Sequence, residues 1–395
     1  MHWRIDAGGQ TIALASDGGI PQVIWWGPRL PEGEDLAQLA LAGRNDLTGG
    51  MLDRLPALSL SPEPGRAFQG QPGHILAEAD GTPLAPVFGF DRAEVAADSL
   101  ALISRAPGLV LTHRLAAQAT GTITLQTTLQ SDRPIRVLWL AAPVLPAPQH
   151  GDMIDVHGKW TREFHLIRSP WSPGIRLREA RTGRSGHEHP PWLILAAEGC
   201  SNTQGQALAL HYAWSGGHRM VAEELPDGRR QVQFGHPLGA ETQAGTRFET
   251  AELVAACSAT GLNGIAATFQ RDIRDRVVHW PDPARPRPVH YNCWEAVYFD
   301  HKLDTLAEIA TRAAALGAER FVLDDGWFGR RDDDTTSLGD WTIDRRKWPE
   351  GLHPLIRHVH SLGMTFGLWF EPEMVNPDSD LYRAHPDWLL GPVDQ

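Results

Sequence analysis

Two adjacent carboxylates, Asp324 and Asp325, end the short apolar run Arg320 to Leu323 and are followed at once by Gly326-Trp327-Phe328-Gly329. Neighbouring carboxylates accept hydrogen bonds from adjacent sugar hydroxyls, and an indole beside them covers the apolar face of a pyranose ring. Trp294 and Glu295 hold the same place after an earlier run, Pro288 to Trp294, and Trp369-Phe370-Glu371-Pro372-Glu373 after a later one, Thr365 to Phe370. An isolated Asp-Asp is more often a helix cap or a solvated loop. Directly after an apolar strand the balance shifts to binding, provided the strands belong to a barrel, whose functional residues gather at C-terminal strand ends. Asp332-Asp333-Asp334, beside Arg330 and Arg331, reads as a solvated loop. Glu371 and Glu373 flank a proline and suit either a site or a salt bridge. Trp327 and Trp341 suit both a sugar platform and a core plug.

Other chemistries find no footing. His187 and His189 lie in a Gly- and Pro-flanked loop, while His358 and His360 fall on different faces of a helix. No His-Glu-x-x-His or Cys/His spacing occurs, so no metal is expected. A Gly-rich phosphate loop and Gly-x-Ser-x-Gly are both absent, which disfavours nucleotide-dependent chemistry and the usual serine hydrolases. The formal charge of -12 is spread along the chain; a nucleic-acid binder needs a clustered positive face, so none is expected as partner. Cys200, Cys257 and Cys293 are too few and scattered for a disulfide framework and read as small buried apolar residues. The fifteen tryptophans suit sugar rings and a large core alike. Polar residues in Met1-His2-Trp3-Arg4-Ile5-Asp6 occupy the place of a signal peptide's apolar stretch, and no run is long enough to cross a bilayer. A cytoplasmic protein without membrane partners is therefore expected.

The elements that must position these residues change character along the 395-residue chain, too long for one core. Up to about Ser258, short strands alternate with turns. Ile123, Leu125, Thr127 and Leu129 show the two-residue period of a half-buried strand over Gly121 to Gln130. Similar strands are expected at Leu109 to Leu115, Val137 to Leu140, Ala207 to Trp214 and Ala251 to Ala256. Asp227-Gly228 predicts a hairpin turn before Arg230 to Phe234. This is the pattern of a large antiparallel sandwich. Ile265, Phe269, Ile273 and Val277 then form a helical stripe. Four prolines between Pro281 and Pro288 block helix and mark a boundary, giving a sandwich over 1–280, with a helical linker near 262–280, and a second domain over 281–395. Beyond it, strand and helix alternate: helices are predicted at His301 to Leu316 and Pro354 to Leu362, strands at Pro288 to Trp294, Arg320 to Leu323 and Thr365 to Phe370. Such βα steps begin either a parallel barrel or a doubly wound sheet.

Four stretches resemble the α-galactosidases of glycoside hydrolase family 36: Tyr291-Asn-Cys-Trp-Glu-Ala-Val-Tyr-Phe-Asp300, Leu323-Asp-Asp-Gly-Trp-Phe-Gly329, Ser337-Leu-Gly-Asp-Trp341 with Lys347 and Pro349, and Gly367-Leu-Trp-Phe-Glu-Pro-Glu-Met-Val375. Weaker similarity runs through Leu52-Asp53-Arg54-Leu55-Pro56, Gly158-Lys-Trp160 with Arg162-Glu163, and Tyr212 to Gly216. The resemblance implies a β-sandwich (supersandwich) followed by the first strands of a (β/α)8 barrel, and a retaining, cofactor-free hydrolase of terminal α-galactosides such as melibiose and raffinose. It places Asp324 and Asp325 on the galactose O4 and O6 hydroxyls and Trp294 and Trp369 around the galactose pocket. Asp53 matches an acidic residue that, in family tetramers, reaches a neighbouring subunit's site, so a homo-oligomer is expected; the arginine that accompanies it there has Arg66 or Phe68-Gln69 in its place. The family nucleophile, an Asp in a Lys-x-Asp motif after the fourth strand, and the acid/base Asp after the sixth have no counterpart. About 107 residues follow Pro288, where a full barrel takes roughly 250. No catalytic carboxylate is therefore expected within 1–395, and a truncated, inactive chain is. An α-N-acetylgalactosaminidase or galactosyl transferase on the same scaffold, and a non-catalytic carbohydrate-binding fragment, are the alternatives.

Overall fold

A computed structural model describes residues 1–44, 55–148, 151–239 and 243–390. The chain divides into two compact units, Met1–His279 and Trp280–Gln395. Asp53 lies outside the described residues.

Among the described residues, the strands of the first unit form a twelve-stranded, a four-stranded and a three-stranded sheet, all antiparallel. One apolar core draws on all three, through residues such as Ile12, Leu111, Leu125, Leu210, Met220 and Phe234. Strand pairs close through short turns, as where His218–Glu224 and Arg230–Gly235 pair across Asp227. The runs at 121–130 and 137–140 prove to be one eighteen-residue strand, Ile123–Leu140. It crosses its polar middle because its backbone partners change there: Leu109–Ala117 pairs with it as far as Ser131, and His74–Glu78 from Ile135 onward. Thr124 and Thr128 are also buried, so this strand is covered on both faces rather than one.

The stripe at 265–277 forms the helix Leu262–Asp272, whose Ile265 packs with Ile154, Ala209 and Ala256. It does not continue as one face. A π-helical turn, Ile273–Val277, follows, and Ile273 and Val277 are exposed. The turn carries Arg276 back onto Asp272, at 2.9 Å, and onto Glu252. Asp272 also accepts the hydroxyls of Thr120 and Thr122, at 2.6 and 2.8 Å.

The second unit holds three parallel strands in chain order, His290–Asn292, Arg320–Leu323 and Thr365–Leu368. The helices Leu303–Ala315 and His353–Ser361 lie between them in sequence. Leu306, Ala310, Leu355 and Val359, at helical spacing, meet Phe321 and Leu323 of the central strand in a single core. The first strand is shorter than its apolar run suggests. Asn292 Oδ1 accepts the Trp294 N–H at 2.8 Å, a local side-chain turn that ends the strand and starts the helical turn Trp294–Val297. No helix among the described residues is long and apolar enough to cross a membrane.

Candidate active site: a carboxylate and aromatic rim

The register of the parallel strands brings their C-terminal ends level: Asn292 pairs with Val322 and Leu323 with Leu368. Each chain therefore leaves the sheet at the same rim, carrying Trp294, Asp324 with Asp325, and Trp369. The Cys293 and Trp369 amides still donate to Val322 and Leu323 carbonyls, at 3.2 and 3.0 Å, which holds the first residues past each strand in line.

The turn after the central strand depends on two glycines. Gly326 has φ 107°, and a Cβ there would stand 3.2 Å from the Phe299 backbone; Gly329 has φ 57°, and its Cβ would stand 2.6 Å from Ser337 Cβ. Both need the left-handed region without a side chain. Trp327, between them, is buried and donates its indole N–H to the Trp369 carbonyl at 3.0 Å, so it fills the role of a core plug. Trp341 is half-buried and packs against Phe328, Trp369 and Phe370, with ring centroids 4.6 to 6.2 Å apart.

Asp324 and Asp325 are both buried. Asp324 accepts the Asn292 side-chain amide on one oxygen and the Asp325 N–H, at 2.7 Å, on the other. Asp325 faces Arg331, whose Nε lies 3.0 and 3.1 Å from its two oxygens and whose Nη2 lies 2.9 Å from Oδ2. Arg331, beside the Asp332–Asp334 loop read as solvated, is itself only 4% exposed. The chain folds back after Gly329 and carries Arg331 inward, leaving Asp332, Asp333 and Asp334 exposed. Asp332 pairs with Arg346 and Lys347, whose ammonium also donates to the carbonyls of Phe299, Gly326 and Arg331 at 2.7 to 3.1 Å.

The guanidinium of Arg331 links the tryptophans to the carboxylates. It lies 5.6 Å from the Phe299 ring and 5.9 Å from the Phe328 ring. Phe299 meets Trp294 edge-on at 5.1 Å, and Phe328 stacks on Trp369 at 6.4 Å. Glu371 is half-buried and Glu373 exposed. Burial of His301 behind Asp325 and Gly326, then the Lys347 charge, lowers its pKa to about 4, so a neutral imidazole backs the turn. Burial pushes the Cys293 thiol, beneath the first strand end, up to about 11. Among the described residues no group of three or more His, Cys, Asp or Glu is placed to hold a metal ion. Arg331, Asn292, Lys347 and Asn376 were not singled out as site residues from sequence. Asn292 and Lys347 lie in the stretches that resemble family 36 and so carried a signal, whereas Arg331 stands in a charged run that looks exposed.

Comparison with known proteins agrees with this architecture. The family model described as the glycosyl hydrolase family 36 N-terminal domain matches residues 19–243, and the melibiase model matches 247–395. The chain belongs to glycosyl hydrolase family 36. An α-galactosidase of Escherichia coli is 40% identical over 380 residues, 93% of this chain and 52% of its own length. The α-galactosidase AgaA of Geobacillus stearothermophilus is 43% identical over 242 residues, 60% of this chain and 33% of that one. A solved variant of AgaA bound to 1-deoxygalactonojirimycin, and another bound to raffinose, each match with TM-score 0.89 at 29% identity, over 100% of this chain and 60% of theirs. The family 36 match fits an antiparallel β-sandwich followed by the first parallel strands of a barrel. The chain spans about half the length of the E. coli relative.

Proposed function

We propose that this family 36 chain carries the galactose-binding part of an α-galactosidase, which removes terminal α-galactosyl residues from melibiose- and raffinose-type sugars by retaining double displacement. The observation that carries the reading is the shared rim, where two buried carboxylates follow the central strand and Trp294 and Trp369 follow its two neighbours. Asp324 and Asp325 are assigned to the galactose O4 and O6 hydroxyls, and the two indoles to the walls of the sugar pocket. Axial O4 separates galactose from glucose, so acceptors fixed beside it set the preference.

Retaining hydrolysis needs a nucleophilic carboxylate and a carboxylic acid about 5 Å apart. The Asp pair of the rim does not suit those tasks. Asp324 is held on both oxygens by Asn292 and an amide, and Asp325 is held by the Arg331 fork, so each acts as a fixed acceptor. The 395-residue chain is therefore expected to bind galactose without turning over α-galactosides. Calorimetric titration with galactose and glucose, beside an assay with a chromogenic α-galactoside, tests both halves. Absence of galactose binding removes the galactoside reading; turnover by the purified chain places a catalytic pair among these residues.

The same reading includes a homo-oligomer, a tetramer in the complete enzyme. Its support is the edge strand Arg162–Pro170, where Phe164 and Leu166, with Trp160 in the preceding turn, stand 75%, 63% and 76% exposed. Light scattering measures that state directly. All three cysteines are free thiols, which suits a reducing, cytoplasmic setting.

A further inference from the structure

Arg331 does more than neutralise its neighbour. A carboxylate offers about four lone-pair sites on two oxygens. The planar guanidinium reaches both oxygens of Asp325 through Nε and Oδ2 again through Nη2, and no other N–H or O–H among the described residues donates to them, so lone-pair sites stay unused. The arginine is itself fixed. Its Nη1 donates to the Thr336 carbonyl and to Asn376 Oδ1, both at 2.8 Å. Asn376 is fixed in turn, since the same Oδ1 accepts the Leu338 N–H at 3.0 Å and its Nδ2 donates to the Asp334 carbonyl at 3.2 Å.

We propose that Arg331 is a positioning residue that sets galactose recognition through Asp325, held in place by Asn376; the inference rests on the galactoside reading above. A stability role explains the arrangement poorly, because apolar residues of similar volume serve a buried site as well as an ion pair does. An apolar pair would not hold a carboxylate with its unused lone-pair sites presented at a set angle. Lysine would not either, because it is a point charge without the rigid fork.

The test titrates the 395-residue chain, Arg331→Lys and Asn376→Ala with galactose, 4-deoxygalactose and 6-deoxygalactose, with urea midpoints to report folding. Arg331→Lys is expected to lower galactose affinity about tenfold. That loss should vanish for the one deoxy sugar that lacks the hydroxyl Asp325 holds, the coupling expected of groups acting on each other. Asn376→Ala should show the same pattern with a smaller loss. Unchanged galactose affinity in folded Arg331→Lys, or equal losses with all three sugars, overturns the proposal. If Arg331→Lys does not fold, Asn376→Ala decides by the same pattern. A parent chain that binds no galactose removes the galactoside reading and this inference with it, whereas a parent that binds while Arg331→Lys makes no difference removes the inference alone.

Discussion

Asp272 in the first unit and Asp325 in the second are both buried carboxylates paired with an arginine, yet their surroundings differ. Asp272 accepts two threonine hydroxyls as well as the Arg276 fork, so both edges of its carboxylate are used. Burial alone would raise its pKa, but the Arg276, Thr120 and Thr122 hydrogen bonds outweigh that and hold it below the usual carboxylate range. It anchors the helix Leu262–Asp272 to the sheet. Asp325 receives N–H groups from Arg331 alone among the described residues, and it sits where a strand ends rather than beneath a helix. A carboxylate satisfied on every side serves the fold. One held by a single arginine, at a strand end, is equipped to hold something else.

The hardest challenge to that distinction comes from His74 and His113, buried in the sandwich and incompletely hydrogen-bonded, but at no strand-end rim. His74 Nδ1 meets Ser61 Oγ at 2.9 Å, while its Nε2 and both nitrogens of His113 have no hydrogen-bond partner among the described residues. Burial lowers His74 from 6.5 to about 4, and burial followed by the His74 charge lowers His113 to about 3. The unfolded chain takes up protons below pH 6.5 that the folded chain refuses. Stability should therefore fall as pH drops through that window, these two rings contributing about 4 kcal/mol between pH 7 and pH 5. Urea unfolding at the two pH values measures it, and His113→Leu should flatten the slope. A pH-independent midpoint would show that these rings accept protons without unfolding.

The next effects separate the two carboxylates. Asp272→Ala strands two hydroxyls and leaves Arg276 with Glu252 alone, and should cost about 3 kcal/mol of stability in urea, with galactose affinity unchanged. Asp325→Ala should weaken galactose binding by about 100-fold, or ~2.7 kcal/mol, in calorimetry. If Asp272→Ala moved galactose affinity as much, the division between fold and site would collapse. Smallest is the exposed pair Arg312–Glu308, at 2.5 Å on the helix Leu303–Ala315. Glu308→Gln should change stability by no more than about 0.5 kcal/mol, because water and salt screen such pairs.

Local pattern carried much of the fold. The strand Arg320–Leu323 and the helix His353–Ser361 lie within a residue of where periodicity puts them, because a core-facing face imposes its own repeat. Less legible was the strand Ile123–Leu140, whose exposed middle reads as a break until its change of partner is seen. The π-helical turn at Ile273 was hidden too, since four-residue spacing looks the same whether or not the ladder widens. For the site, the aromatic turn marked Asp324 and Asp325 as candidates. Nothing nearby marked Arg331, because a charged run appears alike whether its arginine faces water or folds inward.

By itself the sequence determined which residues lie at or just past the strand ends of the second unit, since chain order alone sets Trp294, Asp324, Asp325 and Trp369 at the ends of apolar runs. Tertiary structure decided how those ends are used. Register set them level, the two glycines let the turn close, and the returning loop delivered Arg331 to Asp325. Hydrogen-bond direction depends on partners distant in sequence, such as Arg331 with Asn376, and no local repeat encodes it.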